Sequence, residues 1–138
     1  MDKGVPLETI VNDIYKELGH GHRECVYHRA FELELRMRNI PYECEVVVPL
    51  FYKGHFLSHL RLDLVVDKRY IVELKATKSL KDEDSAQLRR YMLTTGIPKG
   101  LLVNFGNTNS CELRKETLEI SDVVGLHAKE ESREEESR

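Results

Sequence analysis

Leu7, Ile10, Val11, Ile14 and Leu18 recur at three- and four-residue spacing, which predicts an amphipathic helix ended by Gly19. A second helix is predicted from about His22 to Arg38, with Tyr27, Phe31 and Leu35 on one stripe and Asn39-Ile40-Pro41 as its stop. The period then changes. Glu43 to Val48 reads as a strand, with Pro49 marking its end or a sheet edge. Leu50-Phe51-Tyr52 and Phe56-Leu57 flank Lys53-Gly54-His55 as a hairpin leading into a further strand. Two apolar runs, Leu60 to Val66 and Tyr70 to Ala76, surround the charged break Asp67-Lys68-Arg69, which predicts two strands and a tight turn. A third helix is predicted from about Asp82 to Thr95, with Leu88, Tyr91, Met92 and Thr95 in phase. Asp82, Glu83 and Asp84 suit its positive end, and Gly96 then Pro98 close it. Gly100 to Phe105 is a continuous apolar run, hence a buried strand, and a weaker strand covers Cys111 to Arg114. This order predicts an α/β protein, a mixed β-sheet flanked by helices.

The 138 residues bound one domain with a sizeable core. The segment after Gly125 is charged and aperiodic, so residues 1–126 are expected to form the domain and 127–138 a disordered tail. The net charge of −3 gives no global signal for nucleic acid. The tail carries five Glu against one Lys and two Arg, leaving 19 acidic and 18 basic residues in the body. Nucleic-acid binding would therefore depend on local basic patches. Cys25, Cys44 and Cys111 are odd in number and widely spaced, which suits free thiols in a reducing, intracellular compartment, cytoplasm or nucleus. No run approaches a membrane span, and no basic-then-apolar secretory signal is visible.

The candidate chemistry lies in the two runs around Asp67. With Asp67-Lys68-Arg69 as the loop, Val66 lies opposite Tyr70 and Asp63 opposite Glu73, and Asp63, Glu73 and Lys75 share a face. Two adjacent carboxylates repel unless a cation sits between them, and a divalent metal prefers such oxygens. The Lys75 ammonium would complete a site for a phosphate and a water. Alone, Glu-x-Lys is a common solubilising pattern on exposed strands. Three further features add weight. Glu24 leads the Tyr27–Phe31 stripe and is expected to face the sheet, although a carboxylate at a helix start also suits the dipole. Gln87 and Tyr91 share a helix face that packs beside the Glu73 strand; read without that strand, they are an ordinary surface Gln and core Tyr. In the cationic set, Lys75, Lys78 and Lys81 trail from the proposed site into the loop and would track a phosphate backbone, and Arg61 joins them as a candidate nucleic-acid contact, whereas Arg89 and Arg90 read as solvated charge. The histidines read as loop and surface polarity, since no His-x-x-x-His pair is present. Neither a phosphate-binding Gly-rich loop with Lys-Ser/Thr nor a Gly-x-Ser-x-Gly elbow is present.

Gly21-His22-Arg23-Glu24-Cys25-Val26-Tyr27, Arg61-Leu62-Asp63-Leu64-Val65, Ile71-Val72-Glu73-Leu74-Lys75-Ala76, Gln87-Leu88-Arg89-Arg90-Tyr91 and Gly100 to Gly106 occur in this order. Together they resemble the GxxExxxY group of the PD-(D/E)XK nuclease superfamily, with Tyr27 one position nearer Glu24 than that name spells. The Gln87/Tyr91 pair is also similar to the Gln-x-x-x-Tyr helix of RecB-type nucleases. The resemblance implies a restriction-endonuclease-like core and metal-assisted phosphodiester hydrolysis, with Mg2+ or Mn2+ as cofactor and DNA as the expected substrate. It implies that Asp63 and Glu73 are metal ligands, with the Leu74 carbonyl as a third oxygen. Lys75 would position or deprotonate the attacking water, and Glu24 would hold a water or a second metal. Gln87 and Tyr91 would support Lys75 and the substrate backbone.

Two other readings remain open at this point. One is a nucleic-acid-binding or protein-interaction module that keeps the fold with little or no catalysis. The other is RNA as substrate. The small size and near-neutral body also predict dependence on a partner, either a second copy or another protein.

Overall fold

The computed structural model describes residues 4–119. The tail expected from residue 127 lies outside them. In chain order the elements are α1 (Leu7–Leu18), α2 (Glu24–Met37), β1 (Tyr42–Tyr52), β2 (His55–Val66), β3 (Tyr70–Lys75), α3 (Asp82–Thr95), β4 (Lys99–Asn104) and β5 (Glu112–Thr117). The strands form one five-stranded sheet in the order β1-β2-β3-β4-β5. Only β3 and β4 run parallel, and α3 is the crossover that joins them. The other neighbouring pairs are antiparallel, so the sheet is mixed as expected.

Helices cover both faces. Ile10, Val11 and Ile14 of α1 and Tyr27, Phe31 and Leu35 of α2 pack against Leu64, Val66, Val72, Leu74, Val103 and Phe105. On the other face, Leu88, Tyr91 and Met92 of α3 pack against Leu62, Val65, Ile71 and Leu102. The helical stripes read from the sequence are thus the core-facing ones. α2 begins at Glu24 rather than His22, because Gly19 to Arg23 form an irregular connection. β4 is buried along almost its whole length, as its unbroken apolar run predicts. β5 starts near the expected position but reaches Thr117. No helix of the described residues is long and apolar enough to cross a membrane.

β1 does not end at Pro49. It continues to Tyr52 as an edge strand, where a residue without an N–H is tolerated. The turn between β1 and β2 is the two-residue loop Lys53-Gly54, both with positive φ (50° and 79°). That is the hairpin geometry matching strand twist. The β2–β3 turn also uses positive φ, at Asp67 (53°) and Lys68 (57°), and Arg69 N–H closes it on the Val66 carbonyl at 3.0 Å.

Candidate active site

The β2–β3 ladder runs from Val66↔Tyr70 to Leu64↔Val72 and stops there. The next opposed positions are Asp63 and Glu73. Their side chains replace the missing ladder bonds. Asp63 N–H donates to Glu73 Oε1 at 3.1 Å, and Leu74 N–H donates to Asp63 Oδ2 at 2.9 Å. Each carboxylate therefore satisfies a main-chain donor that strand separation would leave unpaired. The expected register holds at Val66 and Tyr70.

A single shared face does not describe Asp63. Leu62 packs on the α3 side and Leu64 on the α1/α2 side, although two residues apart in a strand normally point the same way. Asp63 sits at that change of face. Glu45, opposite it on β1, has φ 50°, a sparsely populated conformation for a residue with a side chain. Groups from both sheet faces feel the Asp63 charge: after loss of water, it adds to the rise of the Glu24 carboxyl on α2 and, behind Glu73, to that of the Tyr91 hydroxyl on α3.

Glu73 is 5% exposed. Burial, and then the neighbouring Asp63 charge, push its carboxyl up to about 9, while Lys75 acts in the opposite direction. Tyr91 is almost buried, and loss of water and then Glu73 and Asp63 raise its hydroxyl. Lys75 is half-buried at the end of β3, opposite Asn104 in β4, and its charge reaches both Glu73 and Glu24.

Glu24 meets its expectation only in part. It is the first residue of α2 and is solvent-exposed. It nevertheless lines the same recess as Asp63 and Arg61, and partial loss of water followed by the Asp63 charge raises its carboxyl. Its position is set by Tyr27. That ring is fully buried and stacked on Phe105, with centroids 4.2 Å apart and planes 2° apart. Its hydroxyl donates to the Gly19 carbonyl at 2.6 Å and accepts from His22 N–H at 3.3 Å. Tyr27 thus pins the connection that leads into Glu24, and Gly21 within it has φ 101°, open to glycine. The Gly-x-x-Glu-x-x-Tyr spacing has a physical reading: the glycine turns, the tyrosine anchors, and the glutamate is presented at the recess.

Gln87 is half-buried one turn before Tyr91, without a hydrogen bond to Lys75 among the described residues. Arg61, Lys78 and Lys81 are exposed. Lys81 is also the residue that caps α3, its N–H donating to Asp84 Oδ2 at 2.9 Å.

Two positioning groups escaped the sequence reading. His28 is not surface polarity: its Nε2 lies 3.3 Å from the Asp63 carbonyl and its Nδ1 3.1 Å from Glu32 Oε2, tying α2 to β2 at the critical residue. The second is Asn104, fully buried in β4. Its Oδ1 accepts from Thr77 N–H at 2.9 Å and Gly106 N–H at 3.0 Å. Its Nδ2 donates to the Thr77 carbonyl at 2.9 Å and Glu112 Oε1 at 2.8 Å. Asn104 therefore clamps the chain that leaves Lys75. Gly106 lies so close to that segment that a Cβ there would come within 2.3 Å of the Thr77 carbonyl oxygen. Val103-Asn104-Phe105-Gly106 reads as one apolar strand, which hid the single polar residue that does this.

Among the described residues, no group of three or more His, Cys, Asp or Glu is arranged around a common point as a metal cage. A second recess, lined by Pro6, Leu7, Tyr70 and Lys99, lies at the other end of β3 and includes neither Asp63 nor Glu73.

A family model described as the PD-(D/E)XK nuclease superfamily matches residues 5–116. The chain belongs to the PD-(D/E)XK nuclease superfamily. The match spans every element described above, from α1 into β5. No curated protein matches the chain. Among solved structures, the crystal structure of SSO0001 is similar, with a TM-score of 0.52 and 21% identity over 88% of this chain. The chain spans 63% of the length of SSO0001, and at that identity the likeness concerns the fold alone. The five-stranded mixed sheet with helices on both faces is the restriction-endonuclease-like PD-(D/E)XK architecture.

Proposed function

We propose that this PD-(D/E)XK protein is a magnesium- or manganese-dependent nuclease of the GxxExxxY group that hydrolyses phosphodiester bonds in DNA. The observation that supports this most is the reciprocal Asp63–Glu73 arrangement where the β2–β3 ladder opens, with Lys75 in the field of Glu73.

The donor set suits a divalent cation. Two hard carboxylate oxygens are held side by side, and Glu73 is driven toward its protonated form because nothing fully offsets its burial and then the Asp63 charge. Mg2+ commonly uses one or two carboxylates and keeps several waters, so a cage of three side chains is not required. Asp63 and Glu73 would hold the ion, with the Leu74 carbonyl as a further oxygen. Once bound, it would supply Lewis acidity toward the phosphate and lower the pKa of a nearby water.

The remaining chemistry belongs to the chain. Lys75 orients the attacking water and offsets negative charge that develops on the phosphate. Glu24, at the exposed rim, accepts a hydrogen bond from a water entering the recess. Tyr91 and Gln87 line the α3 side, where Tyr91 contacts the substrate backbone. Arg61, Lys78 and Lys81 are exposed cations placed to meet phosphates on either side of the acid pair.

The exposure of Glu24 favours a second reading, a nucleic-acid-binding module with little catalysis. Incubating the purified protein with duplex and single-stranded DNA and with RNA, in magnesium, manganese or chelator, separates the two. Metal-dependent cleavage supports the nuclease; binding without cleavage in either metal supports the module.

A further inference from the structure

β2 pairs with β3 only from Leu64 onward, so residues 55–62 pair with β1 alone. The β1–β2 hairpin therefore leaves the sheet as a two-stranded arm. Its base is anchored, since Val46, Val48 and Leu60 rest on the α3-side core. Its outer part is not. Phe51, Phe56 and Leu57 are 59%, 61% and 62% exposed, and the two phenylalanine rings meet edge to face at 6.1 Å. A free two-stranded hairpin is only marginally stable, so this much apolar surface held out in water calls for an occupant.

Charge identifies its chemistry. Residues 46–62 contain no Asp or Glu, in a chain where a third of the residues are charged and acids outnumber bases. The same stretch carries Lys53, Arg61, His55 and His59. Val47 lies opposite Arg61 and Pro49 opposite His59, which places Arg61 and His59 on the arm face away from the α3-side anchors, while Lys53 sits in the turn at the tip. Arg61 also lines the recess of Asp63 and Glu24, so that face runs directly into the candidate site. A second copy docking arm against arm would oppose two ribbons of like charge. A polyanion would not. The major groove of a duplex, about 12 Å wide, admits a two-stranded β-ribbon, and aromatic side chains at a tip are suited to wedge against base steps.

We propose that the β1–β2 arm is a ribbon that lies in a groove of duplex DNA, with Lys53 and His59 facing phosphates and the Phe51/Phe56 tip against the bases, holding the duplex across the Asp63–Glu73 site. This rests on the nuclease reading and assigns to it a double-stranded substrate.

The test is binding of a labelled 20-base-pair duplex and of its single strands, in chelator so that no cleavage occurs, across a salt series. Wild type is compared with Lys53→Glu and with Phe51→Ala/Phe56→Ala, and the thermal melting and sedimentation of each are recorded. Lys53→Glu is expected to weaken duplex binding about tenfold and make the salt dependence shallower by about one ion. The tip variant is expected to weaken duplex binding at least as much while melting like wild type. Lys53 sits in the turn outside the core, so its variant stays informative if the tip variant unfolds. Wild-type affinity in both folded variants overturns the arm and leaves the nuclease reading standing. So does a wild-type dimer that the tip variant converts to a monomer with duplex affinity unchanged, which assigns the surface to a second copy. A wild-type protein that binds neither duplex nor single strand overturns both.

Discussion

Asp63 and Glu73 hold each other's strands: Asp63 donates its N–H to the Glu73 carboxylate, and its own carboxylate accepts the N–H of Leu74. The same two side chains that would hold a cation thus also close the gap left where the ladder ends. Structure and chemistry are separable here, because an amide can accept the same main-chain bond without the charge.

Glu73→Gln exploits that separation. The folded chain holds the Glu73 proton up to about pH 9, whereas the unfolded chain releases it near the ordinary carboxylate value of about 4.3. Between those values the folded state binds the extra proton, so in chelator this group's contribution is full at low pH and is lost as pH rises toward 9. Glu73→Gln should flatten that slope and melt higher than wild type at pH 8.5 in chelator. Melting curves from pH 5 to 9 check this; parallel curves for the two proteins would reject the buried, proton-holding Glu73.

Lys75→Ala should fold and retain any metal-dependent rise in melting temperature, since Lys75 is not among the proposed ligands. Its cleavage rate should drop roughly a hundredfold or more. Single-turnover cleavage with folding confirmed by circular dichroism is the check, and a near-normal rate would remove Lys75 from the reaction.

Tyr27→Phe should cost about 1 kcal/mol or somewhat more, because the Gly19 carbonyl loses its donor and His22 N–H its acceptor. Its larger consequence should fall on Glu24, through the loosened connection. Urea denaturation measures the first. Faster amide exchange at residues 19–24 measures the second, and unchanged exchange there would sever Tyr27 from Glu24.

Asn104→Ala should destabilise by about 3 kcal/mol or more, leaving Thr77 N–H, the Thr77 carbonyl and Gly106 N–H without their partner. Limited proteolysis should then cut between Ala76 and Lys81 sooner than in wild type. Resistance equal to wild type would show that the loop is held by other contacts.

The elements were legible because their periods are clean: Ile10-Ile14 and Phe31-Leu35 are helical, and 100–105 is an unbroken apolar run. The turn at Asp67 fixed the register, so opposing Asp63 to Glu73 followed from counting residues. The change of face at Asp63 was not legible, since alternation rules assume an uninterrupted pleat and the ladder opens at that residue. Glu24 follows the same logic. Its phase on α2 points toward the core, but it is the first helical residue and stays exposed beside the Asp63 recess. His28 and Asn104 act through partners 35 and 27 residues away in sequence, a separation that no local pattern encodes.

The proposed metal-dependent phosphodiester chemistry depends on Asp63 and Glu73 together. Asp63→Asn keeps an acceptor for Leu74 N–H and removes the charge, so cleavage of duplex DNA in magnesium by wild type and by this variant tests it most directly. Wild type should cleave in magnesium and stop in chelator, and folded Asp63→Asn should lose the activity. Equal cleavage by the two proteins, or cleavage that persists in chelator, would contradict it.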